Sequence, residues 1–158
     1  MKFEEGKFYF IKDCFFEQFK EFYLMENRDN GNKRPCFFCF KDKKYKEIIW
    51  FVPISTKYEK YKSIYEKKKL NFPNKPVYNF VFGSVLNKKT VFLIQNIFPT
   101  TKNYILEKYK TSDIDVDVPV VVKKEIIDIS SKIIALAEHG TCIPFYDIIE
   151  MRNKLLNK

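Results

Sequence analysis

Two short aromatic runs separated by a charged tip dominate the centre of this chain. Residues 35–41 (PCFFCFK) and 47–52 (EIIWFV) flank the five residues DKKYK. Runs this short, rich in Phe, Ile and Trp and joined by a polar tip, pair as an antiparallel hairpin. Residues 7–11 (KFYFI) predict an earlier strand, and 77–83 and 90–95, joined by SVLNKK, predict two later ones. The loops are short, so the strands run antiparallel.

Helical spacing frames this sheet. Phe15, Phe16, Phe19, Phe22 and Tyr23 predict a helix over 14–25 with Asp13 as N-cap, and 26–34 (ENRDNGNKR) reads as a loop. Tyr58, Tyr61, Ile64 and Tyr65 share one helical face, opposite Lys57, Lys60, Lys62 and Lys67 to Lys69, until NFPNKP ends the helix. Residues 96–110 are irregular, with a short helix expected over 102–109. Apolar spacing predicts a long helix over 121–138, stopped by Gly140, and a final amphipathic helix from Pro144 through Leu156. The expected fold is α+β: one domain over residues 1–158, built on a compact, strongly twisted antiparallel sheet or partial barrel flanked by helices.

Charge is unevenly spread. The chain carries a net charge of +9, and residues 33–69 alone carry +8. Such concentration is the footprint of a polyanion partner, or else a solubilising lysine face. The four cysteines include Cys36 and Cys39 in C-x-x-C spacing, but there is no second ligand pair and His139 is the sole histidine. They read as ordinary strand residues rather than a zinc or redox site. The start MKFEEGKFYF lacks the apolar core of a signal peptide, and no apolar run is long enough to span a membrane. A soluble cytoplasmic protein is the expectation.

Nucleotide and metal motifs are missing: there is no P-loop, G-x-G-x-x-G or H-E-x-x-H. His139 in EHGTC reads as a helix end, and Asp113, Asp115 and Asp117 as the outer face of an extended segment. No cofactor or metal is expected. What remains is WFVPISTKYEKYK, residues 50–62, where an apolar strand runs into Ser55, Thr56 and Lys57. Cleavage of RNA by its own 2′-hydroxyl requires proton removal, stabilisation of a phosphorane and a proton for the leaving 5′-oxygen. Lysine can donate protons and hold charge, hydroxyls and arginine can bind phosphate oxygens, and tyrosines can stack on bases. The same Ser-Thr pair also suits a plain helix N-cap.

These residues resemble the ToxN/AbiQ family, toxins of type III toxin–antitoxin systems, including its CptN-like branch. The resemblance is carried in order by KRPCFFCF at 33–40, WFVPISTKYEKY at 50–61 and VFLIQNIFPT at 91–100. It implies a MazF/Kid-like fold and a metal-independent endoribonuclease that leaves a 2′,3′-cyclic phosphate. It also implies an antitoxin RNA of tandem repeats, each folded as a pseudoknot that plugs the active site, and a closed toxin–RNA hetero-oligomer. On this resemblance Ser55 and Thr56 hold the scissile phosphate, and Lys57, or Lys60 by a shifted count, transfers protons. Arg34 or Lys33 clamps charge, since arginine keeps its proton. Lys60, Lys67, Lys68, Lys69, Tyr58 and Tyr61 grip RNA. A tyrosine that some members carry in the loop before the hairpin has no counterpart in ENRDNGN. The alternatives are a non-catalytic nucleic-acid-binding module and a MazF-like toxin with a protein antitoxin.

Overall fold

The computed structural model describes residues 2–157. Strand β1 (Phe8–Ile11) leads into a short helix, α1 (Asp13–Gln18), and a 3-10 turn at Lys20–Phe22. The helix expected over 14–25 is therefore cut short. Phe19 leaves helical geometry and Tyr23 turns left-handed at φ 53°, which lets Phe15, Phe19 and Phe22 all reach the core. The segment expected as a loop carries a small hairpin, β2 (Arg28–Asp29) and β3 (Asn32–Lys33), turned at Asn30 and Gly31 with φ 51° and 82°. Positive φ at both central residues is the turn that matches the twist of paired strands.

The predicted central hairpin forms as β4 (Cys36–Lys41) and β5 (Ile49–Ser55), followed by helix α2 (Tyr58–Asn71). Next come β6 (Phe80–Val85) and β7 (Lys88–Leu93), joined by a tight turn at Leu86 and Asn87 with φ 52° and 61°. Then follow β8 (Phe98–Thr100), β9 (Ile105–Lys108), β10 (Lys110–Thr111) and β11 (Ile114–Asp115). Helices α3 (Val120–Glu138) and α4 (Ile148–Leu156) end the chain. The helix expected over 102–109 does not form. Lys102–Tyr104 is a 3-10 turn, and β9 pairs with β1 because Ile105 is buried there. The last helix starts at Ile148 rather than Pro144, since Asp147 caps it through the amides of Ile149 and Glu150.

Among the described residues seven strands, not five, make one antiparallel sheet in the order β6-β7-β5-β4-β1-β9, with β8 also on β5. Strand β5 keeps β4 on one edge and changes partner on the other: β8 pairs with Ile49 to Phe51, β7 with Ile54 and Ser55. Pro53, which has no amide hydrogen to give a ladder, falls in the gap between these two partners.

Strand β4 is buried on both faces from Cys36 to Cys39, as befits a strand with strands on either edge and helix α3 laid across it. Burial pushes the Cys36 thiol up to about 12 and the Cys39 thiol higher still, so both are inert apolar packing groups. Phe8, Tyr9, Phe37, Phe38, Trp50, Phe51 and Phe92 fill the centre, with Phe38 and Phe51 stacked at 5.5 Å. Helix α3 also crosses β6 at Gly83, where a Cβ would meet Val122 Cγ1 at 2.9 Å. No helix among the described residues is long and apolar enough to cross a membrane.

One buried polar network fastens the hairpin tip to the helices. Asp42 accepts from Trp50 Nε1 at 2.9 Å and from the amides of Lys44 and Tyr45 at 2.9 and 3.0 Å. Arg152 of α4 lies 3.7 Å from the Asp42 carboxylate, donates to Glu138 of α3 at 2.7 Å and stacks over Tyr45. Burial pushes the Asp42 carboxyl up, but these hydrogen bonds and the guanidinium outweigh it and hold it below its ordinary value. A carboxylate depressed in this way stabilises the fold above the ordinary carboxylate range and loses that contribution as pH falls through its lower folded value. Asp42→Asn is therefore expected to cost about 1–3 kcal/mol at neutral pH. It should also flatten the loss of stability below about pH 4, measured by urea unfolding at neutral and acid pH.

Candidate active site

The end of β5 opens into a groove of about 440 Å³. Extending the β4–β5 register, in which Cys36 faces Pro53, places Arg34 across from Ser55. Both line the groove, together with Lys33, Thr56, Lys88, Thr90 and Tyr109. Thus four residues nominated from sequence, Lys33, Arg34, Ser55 and Thr56, converge. Asp29 is the one carboxylate among the lining residues, and its Oδ2 lies 3.9 Å from the Arg34 guanidinium. That contact is too long for a firm hydrogen bond.

The two hydroxyls are not helix caps. Ser55 is buried, and its Oγ accepts from the Lys57 amide at 3.2 Å, ahead of the helix. Lys57 itself occupies the N-cap position of α2 without a side-chain cap. Thr56 is exposed at the groove wall. So the chain turns from strand to helix over one Ser-centred turn, and both residues line the groove.

Arg34 is held from behind. Its amide donates to the Asn27 carbonyl at 2.7 Å. The Asn27 side chain, itself buried, donates to the Ile11 carbonyl at 2.9 Å and to Asp13 at 2.8 Å, while Arg28 reaches the same carboxylate at 2.7 Å. The Arg28 guanidinium, and then Asn27, hold the Asp13 carboxyl below its ordinary value. Asp13 thus anchors the β2–β3 hairpin instead of capping α1, whose N-cap is Lys12. Arg34 Nε and Asn27 Oδ1 are buried without a hydrogen-bond partner among the described residues.

Lys57 and Lys60 line a neighbouring groove of about 500 Å³, on the far side of Thr56. Thr56 and Lys88 line both grooves. Tyr58 and Tyr61 spend one face on the protein, meeting Phe82 and Phe80 at 5.3 Å each, and so fix α2 to the sheet. Lys67, Lys68 and Lys69 sit near the other end of α2, about 15 Å along its axis from the first turn. They are a remote basic track, not part of the groove.

Sequence reasoning missed Lys88, Thr90, Tyr109 and the Asn27 anchor. The only signal for Lys88 was the pair KK after Leu-Asn, read as a connector rather than as the start of a strand. Among the described residues no three His, Cys, Asp or Glu side chains gather where a metal ion could be held. Asp115 and Asp117 are tied to Lys7, and Asp115 also to Lys108 at 3.2 Å. His139 is exposed at the C-cap of α3, as its sequence context suggested.

No protein-family model matches the sequence, and no curated protein matches it significantly. Solved structures do match. A protein of a bacterial antiviral system regulated by a processed non-coding RNA superposes with TM-score 0.67 at 12% identity, over 96% of this chain and 98% of its own. A bacterial type III toxin, selectively inhibited by a non-coding RNA pseudoknot, superposes with TM-score 0.62 at 13% identity, over 98% of each chain. The Mycobacterium tuberculosis toxin MazF-mt6 superposes more weakly, with TM-score 0.40 at 8% identity over 80% of this chain and 93% of its own. The first two are ToxN/AbiQ-type toxins, so the resemblance read from the sequence extends to the fold over nearly the whole chain.

The Asn27 anchor gives a direct test of how the groove is built. Asn27→Ala should release the β2–β3 hairpin, with a local cost of about 1–3 kcal/mol for the lost buried hydrogen bonds. Amide hydrogen exchange across residues 28–34 should quicken, while amides of β4 and β5 keep their protection.

Proposed function

We propose that this protein is a metal-independent endoribonuclease, the toxin of a type III toxin–antitoxin system, acting as one catalytic domain in the cytoplasm. The observation that carries this reading is the convergence of Ser55, Thr56, Arg34 and Lys33 in one groove. Its setting supports the reading: the same fold occurs in a toxin that a non-coding RNA pseudoknot inhibits.

On this reading the two hydroxyls donate hydrogen bonds to the non-bridging oxygens of the scissile phosphate. Arg34, with Lys33 beside it, faces the charge that grows as the 2′-oxygen adds to phosphorus. Donors aimed at charge developing in the transition state are worth about 10²–10³ each in rate. The O2′–P bond forms, the P–O5′ bond breaks, and a 2′,3′-cyclic phosphate remains. The 2′-hydroxyl loses one proton and the 5′-oxygen gains one, so an amine at the groove is the natural proton carrier where histidine is absent. Lys57, nominated from sequence, stands at the rim beyond Thr56. Lys60 and Lys67 to Lys69 extend the cationic surface along α2 for the RNA backbone, and Tyr58 and Tyr61 border it.

A folded repeat of an antitoxin RNA would occupy the groove and the α2 track together, blocking substrate. Its two ends, engaging successive toxins, would close a hetero-oligomer.

Purified protein should cut single-stranded RNA in the presence of EDTA and leave cyclic phosphate ends, scored by mass spectrometry. Arg34→Ala and Ser55→Ala should each slow cleavage by about 100-fold or more. Variants that cut RNA at the wild-type rate would remove Arg34 and Ser55 from the catalytic assignment, and a wild type that binds RNA without cutting it would leave a nucleic-acid-binding module. RNA affinity should fall steeply with salt, at about 0.7 log units per log unit of salt for each phosphate contact on a single strand. A flat response would remove the basic track.

A further inference from the structure

The resemblance points to Lys57 for proton transfer, but the structure puts a different amine in the groove. We propose, on the ribonuclease reading above, that Lys88 protonates the leaving 5′-oxygen. Lys88 is the first residue of β7, fixed in place by the two-residue turn at Leu86 and Asn87 and by its pairing with Val85. Thr90 Oγ1 donates to the Lys88 carbonyl at 2.9 Å, so the residue is braced at its backbone.

Strand alternation decides which way these side chains face. Along β7, Lys88, Thr90 and Phe92 share one face, and Lys89, Val91 and Leu93 the other. Phe92 packs on Phe8 and Phe37 at the floor of the main core, and Thr90 lines the groove. Ile54 is paired with Phe92, so the next alternate residue of β5, Thr56, shares this face, and Lys88 lines the groove with it and with Lys33. Ser55, paired with Val91, and Arg34 across from it belong to the other face of the ladder and line the groove where the strand ends. Lys89 projects to the opposite face, where it sits over the Tyr58 ring at 5.2 Å and within 3.9 Å of Glu59. Lys57 lines only the second groove. No carboxylate lies within 4.0 Å of the Lys88 amine among the described residues, so that amine is not spent on an ion pair.

A free lysine amine is protonated at neutral pH and can give a proton to an alkoxide as it departs. In the proposed step the O2′–P bond forms as the P–O5′ bond breaks. The proton moves from Lys88 Nζ to O5′, the 2′-hydroxyl proton goes to solvent, and the amine is reprotonated from solvent.

The test compares two RNA oligonucleotides, one ordinary and one with sulfur at the bridging 5′ position. Its thiolate leaving group needs no proton. Lys88→Ala should cut the ordinary RNA about 100-fold or more slowly, yet cut the thio substrate within a few-fold of the wild type. Lys88→Arg keeps the charge but holds its proton, so it should keep a near wild-type KM and stay defective in kcat on ordinary RNA. Lys89→Ala, on the neighbouring residue but the opposite face, should stay within a few-fold of wild type on both. A Lys88→Ala variant as active as the wild type on ordinary RNA overturns the assignment, and one equally slow on both substrates overturns the proton-donor role. If Arg34→Ala and Ser55→Ala are defective while Lys88→Ala is not, only this inference falls. If the wild type leaves no cyclic phosphate, the ribonuclease reading falls with it.

Discussion

One strand that changes partners organises the molecule. β5 holds β4 along one edge, and on the other it holds first β8 and then β7. The change occurs at Pro53, where a missing amide hydrogen is no loss because no ladder bond is due. Up to that point β5 is wholly buried. Beyond it the strand comes out between the start of β4 and the start of β7, bringing Ser55 level with Arg34. The polar residues therefore need no loop of their own. Ser55 is held by the same backbone ladder that holds the core, and Arg34 by its amide bond to the Asn27 carbonyl.

The aromatic residues divide into two groups with different tasks. The larger group, from Phe8 to Phe98, makes the core of the seven-stranded sheet. The smaller, around Phe80, Val91 and Leu93, is a shelf on which Tyr58, Tyr61 and Tyr65 rest. Helix α2 buries none of its residues and is joined to the body by these rings. Tyrosine suits this position, because its ring packs on phenylalanine while its hydroxyl stays near water. The lysines on the outer face are then displayed without a desolvation cost. The outcome is a rigid groove beside a cationic helix with a slender attachment.

The sequence made the hairpin, the basic helix and the long α3 legible, because each has a strong period or composition. Residues Lys33, Arg34, Ser55 and Thr56 could be grouped because they lie at the two ends of one predicted hairpin, and antiparallel pairing brings such ends together. Lys88 and Tyr109 were not legible. They reach the groove through the partner change of β5 and through the β1–β9 pairing, both of them long-range contacts without local periodicity. The false helix over 102–109 has the same origin: Tyr104 and Ile105 have turn and strand roles fixed by distant partners. Asp13 shows the reverse case, a good cap by composition drawn into a stronger bond with Arg28 and Asn27.

Charge placement also carries an energetic consequence. Lys33, Arg34 and Lys88 line one groove with a single carboxylate, Asp29, among its lining residues. Like charges gathered in this way repel and work against the compact state, and such crowding does not persist for stability's sake. On the ribonuclease reading a phosphodiester entering the groove relieves that repulsion and adds charge-assisted hydrogen bonds. A folded RNA spanning groove and helix relieves more of it, over more contacts, than a short substrate can. On that same reading, inhibition by a structured RNA and cleavage of a flexible one would draw on the same cations. The difference lies in whether the bound strand can bring a 2′-hydroxyl into line with the leaving oxygen: a pseudoknot holds its backbone fixed, and a single strand is free to adopt the in-line geometry.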